Sequence, residues 1–436
     1  MTRILSAIRG GLCRIVGPSG PFYGPADSGS NSGKMDTQGQ TADSDPSREP
    51  RLVIDARTST PDGIGPAHRL LGLSLLERIA RAARRSGYGA VYVMAADADT
   101  QLFRDVLSRM DDIEVGRTLP ERTGNKARTV CVPGLVVGER DWLAAAARVS
   151  VAGGGSVALG GGVVVCGDQV PLPRAAELAA ASTPPATARD RAPLCIGSKA
   201  DLAVAERRLM RSLGKAADGF MERHFERPLS RILSRRLAET PITPNQMTLI
   251  SAAVGLGAAP FFLSAAPLWQ TLGALMFLAH SILDSCDGEL ARLRFQESRW
   301  GGLLDFWGDN VVHAAIFGCM ALGWSLSIDA TWPLALGASA VLGALGSATF
   351  VYWRVMRPKR DAGPLYVSVA KETKSRLVSL LDALSRRDFI YLVLALSLFG
   401  KAAWFLALAA IGAPIFFLML LLVAAQESRI ASGARA

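Results

Sequence analysis

The chain has 436 residues, half of them hydrophobic, yet it carries a net charge of +10. Length suggests two or three domains, and the mixture fits a chain part soluble and part membrane-embedded, with basic residues gathered on one side of a bilayer. A basic balance also suits a nucleic-acid binder, but no zinc spacing, RNA-binding signature or basic stripe with interleaved aromatics accompanies it, so nucleic acid is not expected as a partner.

The first residues, MTRILSAIRGGLCRIVGPSG, have Arg3, Arg9 and Arg14 breaking every apolar stretch, so they lack the core of a signal peptide. They read as a tail or a weak interfacial segment. Residues 17–50 are rich in Gly, Ser, Asp, Pro and Gln, which predicts a disordered tail over 1–50, with Met35 as an alternative start. The six cysteines (13, 131, 166, 195, 286 and 319) form no CxxC pair and fit reduced thiols facing the cytosol.

From residue 51 the pattern changes. RLVIDA and AVYVMAA read as buried strands, LLGLSLLERIARAARRSG and DTQLFRDVLSRM as helices, and TVCVPGLVV and VALGGGVVVCG as further strands. Alternating strands and helices predict a small α/β domain over 51–172 with a largely parallel sheet. PPATARDRAP marks a linker, placed at 173–204. GGGS (153–156) and GGG (160–162) read as turns between strands.

Residues 205–246 are helical and heavily charged. Phe220, Phe225, Leu229, Ile232, Leu233 and Leu237 interleave with Arg223, Arg227, Arg231, Arg235 and Arg236. Such a helix either lies on an anionic membrane surface or packs on the soluble domain. Residues 247–436 then carry an all-α membrane domain. Spans are expected at 247–267, through LWQTLGALMFLAHSIL, through GLLDFWGDNVVHAAIFGCMALGW, and at 331–353. The apolar stretch 389–425 would be roughly 55 Å long as one helix, too long for a core of about 30 Å. It must fold back between Gly400 and Gly412, giving six spans. The 354–388 loop holds nine Lys/Arg, whereas the loops near 266–270 and 325–331 hold none. This predicts a multi-pass protein of the inner membrane, with the α/β domain and the acidic segment on the cytoplasmic side. Gly337, Gly343 and Ser347 permit close helix packing, offered as the seam of a homodimer.

The sequence DSCDGELARLRFQESRWGGLLDFWGD (284–309) places carboxylates at the end of a lipid-like segment. Asp284, Asp287, Gly288, Ala291 and Arg292 share one helical stripe, and Gly301, Asp305 and Asp309 share a stripe on the next helix. Facing each other across a short turn, they form a pocket walled by four carboxylates and floored by small residues. So many acids together require compensating cations. Oxygen-only ligands favour a hard ion, Mg²⁺ or Mn²⁺, and two such ions suit a phosphate or pyrophosphate substrate. Arg292 can clamp a phosphate or hold an aspartate. A proton-relay or cation-coupled transport site also uses intramembrane carboxylates, but needs no Gly/Ala stripe and would favour an inverted repeat, which is not evident.

The pattern D284-xx-D287-G288-xx-A291-R292-x8-G301-xxx-D305-xxx-D309 resembles the signature of the CDP-alcohol phosphotransferase family, over about 205–425. The resemblance implies six transmembrane helices behind a juxtamembrane helix. It implies Asp284, Asp287, Asp305 and Asp309 as ligands of two divalent ions, with Asp309 also the general base. Gly288, Ala291, Arg292 and Ser298 would contact the CDP moiety. TPNQMT resembles the family's motif at the first span, so Asn245 and Thr248 would face the pyrophosphate; Thr243 and Pro244 also suit a helix N-terminus. The implied reaction transfers a substituted phosphate from a CDP-alcohol, of CDP-inositol/polyol or CDP-diacylglycerol type, to an acceptor hydroxyl, releasing CMP. The alternative is a non-catalytic anchor presenting the N-terminal domain to a partner. His313, four residues beyond Asp309, is a candidate hydrogen-bond partner for it or a packing residue.

Residues 70–97 resemble part of a sugar- or inositol-phosphate nucleotidyltransferase, a domain fused ahead of such membrane domains in enzymes that make and use CDP-inositol. Its chemistry is missing here. RTSTPDGIG replaces the nucleotide loop, His68-Arg69 stand at the usual lysine, and Gly134 and Leu135 stand where a metal-binding Asp is expected. The expectation is a degenerate nucleotidyltransferase-like domain that makes no CDP-alcohol.

Overall fold

The computed structural model describes residues 49–433 apart from 111, 120–126, 140, 152, 182–192, 215–219 and 358–388. The expected tail, save its last two residues, the centre of the linker and most of the basic loop lie outside the described residues. The chain divides into two compact units near residue 209.

The first unit is α/β. Strands β1 (Arg51–Asp55), β4 (Ala90–Met94), β5 (Ile113–Gly116), β6 (Thr129–Pro133), β8 (Ser156–Gly160) and β9 (Val163–Cys166) form one sheet in the order β5-β4-β1-β6-β9-β8. The first four are mutually parallel and the last two antiparallel. Leu52, Val53 and Ile54 of the central strand are all buried, as a strand covered on both faces demands. Two short pairs flank the sheet: β2 (Arg69–Leu70) with β3 (Leu73–Ser74), and β7 (Val136–Val137) with β10 (Leu194–Cys195). Its helices are α1 (Leu75–Arg85), α2 (Thr100–Leu107), α3 (Trp142–Ala147), α4 (Leu172–Ala181) and α5 (Lys199–Ser212). Ser74 caps α1 through the Glu77 amide. Gly160, Gly161 and Gly162 all have positive φ and turn β8 into β9, the role their sequence suggested. The unit runs past the expected boundary at residue 172. The alanine-rich α4 is an element of the domain, since Ala175 is fully buried in the core beside Val53, Cys131 and Val164.

The second unit is helical. A helical run from residue 220 passes through a π-turn at Glu222–Glu226 into α6 (Arg227–Leu237). Then follow α7 (Pro244–Ala258), which tightens into a 3-10 turn at Ala259–Leu263, α8 (Pro267–Arg294), α9 (Arg299–Ile328), α10 (Trp332–Val351), α11 (Phe389–Ser397) and α12 (Ala402–Gly433). Among the described residues, four stretches are long and apolar enough to cross a membrane: Pro244–Leu263, Arg299–Ile328, Trp332–Arg354 and Ala402–Leu422. The apolar stretch beyond 389 does break, between α11 and α12, where Gly400 takes φ +67°. Phe262, Phe277, Ile316, Met320, Val393 and Leu406 build the core.

In the α6 region Phe220, Phe225, Leu229 and Ile232 are exposed, the face a membrane-surface helix would turn to lipid, while Glu226, Arg227, Ser230 and Ser234 are buried. The region packs by its polar face on α8, with Ser230 and Arg227 reaching Glu289. Small residues of α10 let it pack closely within the bundle. A Cβ on Gly337 would collide with Ala321 of α9, and one on Gly343 would lie 2.6 Å from Pro414 of α12.

Candidate active site

Helix α8 ends at Phe295, in the left-handed conformation with φ 55°, and Ser298 starts α9 by accepting the Gly301 amide at 3.0 Å. The chain thus reverses within four residues, which brings the first two aspartates of α8 opposite the first aspartate of α9. Carboxylate oxygens of Asp284, Asp287 and Asp305 all lie within 4.8 Å of one another. Asp284 and Asp287 are each 6% exposed. Asp305 Oδ1 is buried and has no hydrogen-bond partner among the described residues. A buried carboxylate oxygen without a donor is costly, and three acids at this spacing repel. A hard divalent cation removes both penalties, so the donor set fits Mg²⁺ or Mn²⁺.

Helix α7 closes one side. Thr243 and Gln246 form a reciprocal capping box with Pro244 in the first turn, so TPNQ does build a helix N-terminus. One turn on, the Thr248 hydroxyl hydrogen-bonds Asp287 Oδ2 and lies 3.2 Å from the Pro244 carbonyl. Asn245 and Ser298 flank Gly301: a Cβ there would lie 2.9 Å from Asn245 Oδ1 and 3.0 Å from Ser298 Oγ. The Arg292 guanidinium folds over Gly288, where a Cβ would meet Nη1 at 3.1 Å. Ala291 is half-buried, one turn beyond Asp287. Both small-residue positions of the motif are therefore spaces already bordered by polar groups.

Asp309 faces a residue that helical spacing did not single out. His280, on α8 and 3% exposed, places Nδ1 2.8 Å from the Ser251 carbonyl oxygen of α7 and Nε2 3.5 Å from Asp309 Oδ1. A carbonyl only accepts, so Nδ1 carries a hydrogen, and Nε2 can donate to the carboxylate when it is protonated as well. This crossing depends on Gly255, where a Cβ would stand 2.6 Å from Val312 and 2.9 Å from the His280 ring. His313, on Asp309's own helix face, makes aromatic contacts with Phe277, Phe317 and Phe389. The only sequence signal for His280 was its place four residues before Asp284.

The α/β unit has no comparable cluster among the described residues. Beyond the paired residues Asp55 and Pro133, the β1–β6 ladder runs one bond further, at the strand ends where open parallel sheets bind nucleotides. The Gly134 amide donates to the Asp55 carbonyl at 2.7 Å, and a Cβ on Gly134 would lie 3.0 Å from Ala56 Cα and from Pro66. Burial raises the Asp55 carboxyl, but Arg57, bonded at 2.8 and 2.9 Å, outweighs it and holds the group below the ordinary carboxylate range.

Residues 241–431 match the family model of CDP-alcohol phosphatidyltransferase. An archaetidylinositol phosphate synthase of Pyrococcus horikoshii is 30% identical over 175 residues, 39% of this chain and 86% of that protein. A bifunctional IPC transferase and DIPP synthase of Rubrobacter xylanophilus is 36% identical over 148 residues, 33% of this chain and 32% of that protein. The chain thus spans about a third of the length of the bifunctional relatives it matches. A crystal structure of Mycobacterium tuberculosis phosphatidylinositol phosphate synthase with CDP-DAG bound aligns with a TM-score of 0.31 at 18% identity, covering 44% of this chain and 93% of that one. On the motif, the family match over 241–431 and the Pyrococcus relative, the chain belongs to the CDP-alcohol phosphatidyltransferase family.

Proposed function

We propose that the chain is an integral-membrane transferase moving a substituted phosphate group from a CDP-alcohol to an acceptor hydroxyl, with release of CMP. The observation that carries this is the meeting of Asp284, Asp287 and Asp305 oxygens within 4.8 Å across the α8–α9 turn. Asp284, Asp287, Asp305 and Asp309 would hold two divalent ions, whose charge offsets that of the pyrophosphate and of departing CMP. Asn245, Thr248, Gly288, Ala291, Arg292 and Ser298 would border the CDP moiety. Asp309 takes the proton of the acceptor hydroxyl as its oxygen bonds to the β-phosphorus, and the bond to CMP breaks with its electron pair leaving on CMP. Thr248 orients Asp287, and His280 orients Asp309. Six spans, with the site and the α/β unit on the cytoplasmic side, complete the reading.

The names of the relatives, archaetidylinositol phosphate synthase and IPC transferase and DIPP synthase, favour an inositol-phosphate type of acceptor. The donor is then CDP-diacylglycerol-like or CDP-inositol-like. RTSTPDGIG in place of the nucleotide loop, with Gly134 and Leu135 where a metal-binding Asp is expected, supports a non-catalytic role for the α/β unit, which would dock or regulate. Membranes containing the chain, given Mg²⁺, each donor in turn and a panel of polyols and polyol phosphates, should release CMP with one donor–acceptor pair. Release with none, while an added CDP-alcohol phosphatidyltransferase works in the same membranes, would favour the anchor reading.

A further inference from the structure

Behind the aspartates lies a second cluster of buried charge, on the side of α8 that faces α6. Arg227 Nη1 is 3.0 Å from Glu289 Oε1, and Nη2 is 2.9 Å from Glu222 Oε1. The Arg227 and Glu289 side chains are 2% and 0% exposed. Ser230 Oγ donates to the same Glu289 oxygen at 2.9 Å. One residue away, Glu226 accepts from Ser281 Oγ at 2.7 Å and from the Tyr391 hydroxyl at 3.1 Å. The π-turn at Glu222–Glu226 leads straight into Arg227, and the consecutive residues Glu226 and Arg227 both face inward, an unusual feature in a helix and frequent at functional sites.

We propose that the Arg227–Glu289 pair is a positioning device that sets the rotation of α8 and thereby aims Asp284 and Asp287 at Asp305, an inference that rests on the metal-holding reading of that face. Glu289 follows Asp287 by two residues, so it leaves the helix about 200° further round. A turn of α8 that draws Glu289 off Arg227 swings Asp287 away from Asp305 in the same motion. Around that pair Ser230, Ser234 and Cys286, all fully buried, are small and smooth and by themselves specify no rotation, while Ser281 on Glu226 and Arg294 on the carbonyls of Leu237, Ala238 and Thr240 tie the two ends of the contact. A two-pronged guanidinium between two carboxylates does specify one. Buried ion pairs add little net stability compared with apolar packing, and setting register is their best-attested use.

The test uses the full chain purified in detergent, titrated with Mn²⁺ and followed by electron paramagnetic resonance of the free ion, with CMP release measured in parallel. Glu289→Gln and Arg227→Met should each weaken Mn²⁺ binding about tenfold, although neither residue touches the ion. The exchanged pair, Arg227→Glu with Glu289→Arg, should recover most of the loss. Should the single variants fail to accumulate, Arg227→Lys decides: it keeps the charge but loses the fork, and weakened binding is expected. Wild-type Mn²⁺ affinity in the single variants, or in Arg227→Lys, overturns the inference. A wild type that binds Mn²⁺ yet releases no CMP would instead overturn the transferase reading and leave this one standing.

Discussion

His280 bridges the backbone of α7 and the carboxylate of Asp309, with Nδ1 2.8 Å from the Ser251 carbonyl and Nε2 3.5 Å from Asp309 Oδ1. Three helices thus share one imidazole, because Ser251, His280 and Asp309 lie on α7, α8 and α9. Its ring also stacks on Phe277, which limits its motion. Replacing His280 by Phe keeps the packing and removes the contact. CMP release should fall roughly 10- to 100-fold, as for partners that orient ligands, with the donor KM unchanged. An equal loss in kcat and kcat/KM, measured at saturating Mg²⁺, is the expected signature.

Thr248→Val tests the other orienting contact. The swap keeps the shape but takes a hydroxyl from Asp287 Oδ2. A lost partner at a buried carboxylate costs about 1–3 kcal/mol. The expected result is a fall in activity of about tenfold or more, partly relieved by raising Mg²⁺, which can take over the freed oxygen. Activity against metal concentration reads this directly.

Gly301→Ala should act on the donor. The new methyl would stand 2.9 Å from Asn245 Oδ1, so Asn245 must turn away. If Asn245 faces the pyrophosphate, donor KM rises several-fold while folding is unaffected. Gly255→Val is the contrasting case. There the added carbons meet Val312 and His280 in the core, and overpacking of this kind costs about 1–3 kcal/mol. The thermal midpoint in detergent should drop along with activity.

In the α/β unit, Asp55→Asn should leave CMP release untouched, since the carboxylate is committed to Arg57. The pair has a small pH signature. The folded-state carboxyl is held below its ordinary value, so its stabilisation is present above about pH 4 and is lost as pH falls through the lowered value. Both side chains are near one-third exposed or more, which caps the contribution at roughly 1 kcal/mol. Thermal unfolding of wild type and Asp55→Asn should therefore differ slightly at pH 7 and converge as the pH falls through the lowered value.

The aspartate stripes were legible because residues three and four apart must share a helix face, whatever surrounds it. The fold-back at Gly400 was legible because a bilayer has a fixed thickness. His280 was not, because spacing compares residues on one helix and so favours His313, whereas His280 meets Asp309 only after Gly255 lets α7, α8 and α9 close together. The packing of α6 on α8 through its polar face escaped for a related reason. Its apolar and polar faces are evident in sequence, but the pattern does not say which face meets protein when the other can meet lipid. Buried Glu289 and Arg227 look like surface charges until their partners, more than fifty residues apart in sequence, are placed side by side. Helix α4 was read as linker because its alanines form only a weak stripe; the sheet beneath gives them something to cover.

The most direct test is CMP release by the purified full chain, wild type beside Asp305→Asn, in the presence of excess Mg²⁺. Asp305 is the choice because its buried Oδ1 has no hydrogen-bond partner among the described residues, a penalty that a bound cation would remove. The account predicts release that chelation abolishes in the wild type and a loss of at least about 10²-fold in the variant. An Asp305→Asn enzyme turning over at the wild-type rate would contradict it.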